Sequence, residues 1–198
     1  MTEGWLIVGI SGASGAIYGV RLLEALKNHA PHIGRRLIMT SHARRNISLE
    51  TRYTVEQVRG LADVVEDNDD MTAPVSSGSF RTLGMAVAPC SMRTLAGIAH
   101  SSSHNLLVRA ADVTLKERRK LVLTPRETPL HKGHLELMVK AADLGAVVLP
   151  PFPAFYHNPK SVDDIVNHTV GKILDQFDVE HELFRRWKGG RVPSSDRR

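Results

Sequence analysis

Apolar runs that each end in a small or hydroxyl-bearing residue constrain this chain most. Residues 6–10 form one such run, closed by Ser11 and Gly12. Residues 16–29 follow, with Ile17, Val20, Leu23 and Leu26 at helical spacing. Segments 36–40, 85–89, 121–125 and 146–150 read as further strands, and 44–50, 55–61, 92–99, 134–144 and 162–177 as helices. Several strands are apolar throughout rather than at alternate positions, so both of their faces are buried. Strands of that kind alternating with helices predict an α/β fold: an open parallel sheet with helices on both faces. No repeat or linker divides the chain. Residues 1–188 are expected to form one domain, and 189–198 a basic, flexible tail.

Composition narrows the class. A length of 198 residues suits one domain with a real core. No segment approaches the ~18 apolar residues of a membrane span. No basic n-region precedes the first strand, so the expected location is cytoplasmic. The single cysteine, Cys90, excludes an intramolecular disulfide and reads as a small buried hydrophobe. The net charge is +5, but the last fourteen residues hold six cations against one carboxylate, which accounts for all of it. The body is about neutral and only 5% aromatic, so neither a basic nucleic-acid face nor a stacking platform is expected.

Ligands of an open parallel sheet sit beyond the carboxyl ends of its strands. After the first strand comes Gly9-Ile10-Ser11-Gly12-Ala13-Ser14-Gly15-Ala16. Its small residues let backbone N–H groups approach an anion at a helix start. The glycines are three apart, which is neither G-x-G-x-x-G nor a Walker loop, and a tight turn capped by Ser14 is the plain alternative. Thr40-Ser41-His42 follows the second strand and Cys90-Ser91-Met92-Arg93-Thr94 the third. Three strand ends carrying hydroxyls resemble a cradle for phosphate and polar rings. Arg126 and Glu127 end the next strand between two prolines, where arginine suits an oxyanion or carbonyl and glutamate suits proton transfer. The charges between 109 and 120 read as solvated surface ahead of that strand. Residues 150–156 are rich in proline and aromatics and suit the wall of an apolar pocket. His131 and His134 have no further ligand nearby in sequence, so no metal is expected, and no G-x-S-x-G elbow is present.

Taken in order, segments 9–16, 48–51, 89–96, 109–112, 115–119, 125–130 and 153–157 resemble the flavin prenyltransferase family. These are UbiX or Pad-type proteins, formerly described as aromatic-acid decarboxylase subunits, and the resemblance runs from Leu6 to about Trp187. It implies a Rossmann-like flavoprotein fold and a homo-dodecamer with active sites at subunit contacts. It implies transfer of a dimethylallyl group from dimethylallyl phosphate to N5 and C6 of reduced FMN, without a metal. The prenylated FMN would serve a UbiD-type decarboxylase, in ubiquinone biosynthesis or in aromatic acid degradation.

The resemblance also assigns roles. FMN is expected at Gly12, Ala13, Ser14, Ser41, Ser91, Met92, Arg93, Thr94 and Arg126. Arg109, Lys116, Tyr156, Lys172 and Trp187 are expected around the donor phosphate and isoprenoid, and Ser14, Glu50 and Glu127 in proton transfer. The family leads one to expect arginine where Lys172 stands. Lysine keeps the charge without the bidentate fork, which leaves monophosphate against diphosphate open. Two other functions fit a flavin cradle: a flavin-dependent decarboxylase acting directly, and a non-catalytic flavin-carrying decarboxylase subunit.

Overall fold

The computed structural model describes residues 4–187 and Gly189, so nearly all of the expected tail lies outside the described residues. In chain order the elements are β1 (Gly4–Ile10), α1 (Ala16–His29), β2 (Ile33–Met39), α2 (Ser41–Glu50), α3 (Val55–Arg59) and β3 (Val64–Glu66). A short 3-10 turn, Pro74–Ser76, precedes β4 (Gly84–Cys90), α4 (Met92–Ala99), α5 (Leu106–Lys116) and β5 (Lys120–Pro125). The chain continues through α6 (Lys132–Asp143), β6 (Val147–Val148) and α7 (Val162–Asp175). The six strands form one sheet in the order β3-β2-β1-β4-β5-β6, every pair parallel. This is the doubly wound Rossmann-like order, and its direction of winding reverses between β1 and β4. Among the described residues no helix is long and apolar enough to cross a membrane.

Burial explains why the strands are apolar throughout. Leu6, Val8 and Ile10 of β1 pack with Leu22, Leu23 and Leu26 of α1 and with Val170 and Leu174 of α7. Ile7, between them in sequence, points to the opposite face, into a cluster with Met85, Leu95, Leu107 and Leu121. Successive strand residues thus serve two separate cores.

Four elements depart from the sequence reading, two of them in kind. Residues 109–116, read as solvated charge, belong to α5, where Leu106, Leu107, Ala110, Ala111, Val113 and Thr114 are buried. The charges occupy only the outer stripe of that helix. β3 was not foreseen because no apolar run marks it. It is a three-residue edge strand tied to β2 by the ion pairs Arg36–Glu66 and Arg35–Asp63, the latter at 2.7 Å. The Arg36 guanidinium lies over the rings of Trp5 at 4.6 Å and Phe80 at 4.5 Å, so cation–π contact compensates for its burial. β2 also starts three residues earlier than read, and β6 shrinks to two.

The reversal point is closed by one hydroxyl. Ser11 is fully buried. Its N–H donates to the Pro89 carbonyl at 3.2 Å, and its Oγ donates to the same carbonyl at 2.9 Å. The Ser91 N–H in turn donates to Ser11 Oγ at 2.7 Å. On either side, Thr40 N–H donates to Ile10 O at 3.1 Å and Arg126 N–H to Cys90 O at 3.0 Å. The carboxyl ends of β1, β2, β4 and β5 are thereby held in one register. Ser11→Ala strands the Ser91 N–H, and an orphaned partly buried donor costs about 1–3 kcal/mol. The expected result is a lower midpoint in urea with an unchanged m-value; an unchanged midpoint would remove Ser11 from this role.

Candidate functional site

A cleft opens over the carboxyl end of the sheet. Gly12, Thr40, Ser41, His42, Ser91, Arg93 and Thr94 line one part of it, and Asp67, Asn68, Asp69, His104 and Asn105 the other. One face of α2 builds the floor, using residues four apart. His42 packs against Gly12 so closely that a Cβ at residue 12 would collide with it. Asn46 donates from Nδ2 to the Ala13 carbonyl at 2.9 Å. Glu50 Oε2 accepts from the N–H of Gly15 at 2.7 Å and of Ala16 at 3.4 Å. Positions i, i+4 and i+8 share one helix face, so the loop 12–15 is clamped along its length.

Glu50 changes the electrostatic reading of that loop. Gly15, at φ +98°, stands at the N-cap of α1 and supplies no side chain. The orphan N–H groups and the positive end of the helix dipole are met by the Glu50 carboxylate instead of by Ser14, which is half-buried beside them. The starts of α2 and α4 are different. Thr40 Oγ1 caps α2 by accepting from Ala43 N–H at 3.2 Å, and Ser91 Oγ caps α4 by accepting from Thr94 N–H at 3.2 Å. Each cap satisfies one donor. The earlier N–H groups of both helices lie beside the Ser41, Ser91 and Thr94 hydroxyls at the cleft wall. Two helix N-termini therefore converge on one cleft, with Arg93 and Arg44 at its rim. Converging helix starts of this kind can bind a phosphate or another compact anion.

Arg126 sits close enough to Tyr18 to act on it: burial raises the phenol above its ordinary range, and the Arg126 charge partly opposes this. A Cβ on Gly15 would meet the Tyr18 ring at 3.0 Å, so Gly15, Tyr18 and Arg126 lie near one another at the start of α1. Glu127 is exposed, and Oε1 accepts from the N–H of the next residue, Thr128, at 3.1 Å. Ala13 and Thr94 are buried, and Met92 packs into the core beneath α4. Cys90 is inert, because full burial pushes its thiol far above the usual range.

The expected donor residues fall into two groups. Tyr156, Lys172 and Trp187 come together beside α7. The Tyr156 hydroxyl is 2.9 Å from His168 Nε2, and its ring lies edge-on to Trp187 with centroids 5.8 Å apart. Lys172 lies four residues after His168 on α7 and pairs with Asp175 at 3.3 Å. Lys116 is elsewhere. It ends α5 at the amino edge of the sheet, paired with Glu117 beside Gly78. β5 rises from there for six residues, about 20 Å. Arg109 is occupied within the protomer by the Ser76 carbonyl at 3.1 Å and by Asp112 at 3.0 Å.

Sequence reasoning gave His42 no role of its own and missed Asn46 and the Asp67–Asp69 wall. The rule of looking beyond strand ends would have found the wall had β3 been recognised, because residues 67–69 follow its last residue. His42 and Asn46 carried one signal, their four-residue spacing before Glu50. No group of three or more metal-ligating side chains occurs among the described residues.

A flavoprotein family model matches residues 2–174. Flavin prenyltransferase UbiX of Escherichia coli K12 is 58% identical over 186 residues, covering 93% of this chain and 98% of that protein. A solved structure of a dodecameric FMN-dependent UbiX-like decarboxylase from Escherichia coli O157:H7 superposes with a TM-score of 0.91. It is 52% identical and covers 93% of this chain and all of that one. AnUbiX (PadA1), solved in complex with FMN and dimethylallyl pyrophosphate, superposes with a TM-score of 0.92. It is 46% identical and covers 95% of this chain and 99% of that one.

The Glu50 clamp is testable without any ligand. Glu50→Ala uncaps α1 and should cost roughly 0.5–2 kcal/mol, as other lost caps do. Glu50→Gln keeps an acceptor and gives up only the charge at the helix end, at roughly 0.3–1 kcal/mol. Denaturant titration that finds both variants as stable as the parent would show that the carboxylate does not serve the helix.

Proposed function

Because the chain belongs to the flavoprotein family and, within it, to the UbiX-type flavin prenyltransferases, we propose that it joins a dimethylallyl group from dimethylallyl phosphate to N5 and C6 of reduced FMN. The product, prenylated FMN, passes to a UbiD-type decarboxylase, and the protein works in the cytoplasm. The observation that carries this reading is the convergence of two helix N-termini on the clamped Gly12 loop. FMN fits there. Its phosphate takes the α2 and α4 ends beside Ser41, Ser91 and Thr94, where each capping side chain satisfies only one N–H, rather than the start of α1, which Glu50 fills. The missing side chain at Gly12, with Ala13 and Ser14 beside it, admits the flat ring against backbone, and Arg126 meets a ring carbonyl.

Reduced FMN supplies two nucleophilic atoms, N5 and C6, and the remaining tasks fall to the protein. The donor C–O bond breaks and phosphate departs with the electron pair, so cations that hold it lower the barrier. Lys172 performs this task, the Tyr156 hydroxyl binds the same phosphate equally before and during its departure, and Trp187 faces the allylic group with its π surface. The first new bond replaces the hydrogen at N5; for the second, the remaining double bond takes up a proton, C6 attacks the cationic carbon so formed, and C6 then loses its own proton. Glu127, Ser14 and the released phosphate form the relay, with Glu50 close to Ser14 through Gly15.

Lys116 gives the strongest argument for assembly. It stands one strand length from the cleft of its own chain, so it serves as a donor-phosphate cation only at the cleft of a neighbouring copy. Leu49, Phe152, Phe155 and Val139 are at least 60% exposed, which suits surfaces that further copies cover. A homo-dodecamer satisfies both requirements. Light scattering of the purified chain should give an assembly of many copies, and a fully active monomer would overturn this part.

Anaerobic incubation with reduced FMN and dimethylallyl phosphate, followed by mass analysis of the flavin, tests the activity itself. Added mass corresponding to one five-carbon unit, with phosphate release, is expected, and a parallel incubation with the diphosphate reads donor preference. An unchanged flavin would favour direct decarboxylation or a carrier role. Glu127→Gln should bind both ligands and slow the final product by about 10²–10⁴-fold. Lys116→Ala should instead weaken donor use before any new bond forms. Ring closure at the parent rate in Glu127→Gln would leave released phosphate as the only base.

A further inference from the structure

His168 belongs to none of the roles above, yet it is the residue that Tyr156 touches. The Tyr156 hydroxyl lies 2.9 Å from His168 Nε2, with the two rings edge-on, centroids 5.6 Å apart and planes at 79°. His157 stacks flat on His168, with centroids 5.0 Å apart and planes within 6°. Phe184 lies 4.7 Å from the same imidazole. His157 has both ring nitrogens buried without a hydrogen-bond partner, so its contribution to the stack is its face. The imidazole of His168 is thereby held between rings with one nitrogen turned to the phenol. Lys172, one turn further along α7, is on the same face.

A phenol has one proton to give. If that proton points at His168, none is left for an anion in front of Tyr156. If Nε2 carries a proton and donates it to the phenolic oxygen, the Tyr156 proton turns outward. Only a side chain able to accept in one state and donate in another supports the two arrangements; neutral imidazole does so by changing tautomer, and an amide by turning over. Burial, then the charges of His157 and Lys172, hold His168 below its ordinary range, while Asp175 opposes them. Near neutral pH the ring is therefore uncharged. Asp175 is itself engaged by Arg186 at 2.6 Å and by His181 at 3.2 Å.

We propose that His168 is a positioning residue that sets the direction of the Tyr156 hydroxyl, so that the phenol accepts from Nε2 and donates to the phosphate of the donor. This rests on the reading that Tyr156 contacts that phosphate. The reversal moves no net charge and requires no further reactant: one imidazole tautomer replaces the other, and the phenol turns about its C–O bond.

A double-mutant cycle on the full-length protein tests it. Dimethylallyl phosphate is varied at saturating reduced FMN for the parent, His168→Phe, Tyr156→Phe and the double variant, and FMN binding, read by fluorescence quenching, checks folding. Loss of one aligned hydrogen bond corresponds to about a three- to tenfold rise in donor KM, with kcat little changed. His168→Phe should show that rise alone and add nothing in the Tyr156→Phe background. His168→Gln, whose amide can accept and donate, should restore donor KM to within roughly twofold. If His168→Phe does not bind FMN, His168→Leu takes its place in the cycle. A rise of equal size in both backgrounds, or none in either, overturns the role of His168 while leaving that of Tyr156 intact. A Tyr156→Phe variant with parental donor KM overturns the Tyr156 reading and the proposal together.

Discussion

A hydroxyl group at the point where the sheet reverses its winding holds the site together. At such a point the chain leaves neighbouring strands toward opposite faces, and the crevice that results is both the natural ligand site and the weakest seam of the fold. Ser11 closes the seam from within, through two bonds to Pro89 and one from Ser91. Ser91 is also the cap of α4, so the same small network fixes where β1 ends, where β4 ends and where α4 begins. Every cleft residue on these two strand ends takes its position from it.

The second constraint is how the helix starts are shared. Three helices begin at this rim, and all three present unsatisfied N–H groups. The fold fills one with its own carboxylate, Glu50, and leaves two beside the cleft. The Glu50 carboxylate at the start of α1 occupies the donors of the glycine loop and disfavours an anion there. In the proposed reading the loop takes the flat ring and the α2 and α4 ends take the phosphate, because α1 alone of the three carries an internal carboxylate cap.

The donor residues follow a different logic. Tyr156, Lys172 and Trp187 are organised by α7 and by a stack of rings that includes His157, His168 and Phe184. Lys116 is fixed at the far edge of the sheet by the direction of α5, which runs against the strands. No side-chain rotation spans that distance, so a site that uses all of these residues has to be composite. On the proposed roles, oligomerisation is a requirement of the chemistry and not a matter of stability alone.

Much of this was legible in the sequence. Apolar runs ending in Ser11, Thr40 and Cys90 determined a parallel sheet and marked its carboxyl ends, because burial on both faces leaves no polar alternation and a helix start needs a cap. The small residues at 12–14 and the hydroxyls at 41, 91 and 94 followed from the same rule. β3 escaped because ion pairs from Arg35 and Arg36, rather than hydrophobic burial, hold it, and its loop 67–69 was lost with it. α5 escaped because its outer charges masked a buried stripe. Only the tertiary structure decided that Glu50, thirty-five residues from Gly15, caps α1, and that Tyr156 rests on His168 while Lys116 stands apart. Local sequence records which residues can bury or cap, but it does not record which distant helix end a charge will meet, because that depends on how the layers pack.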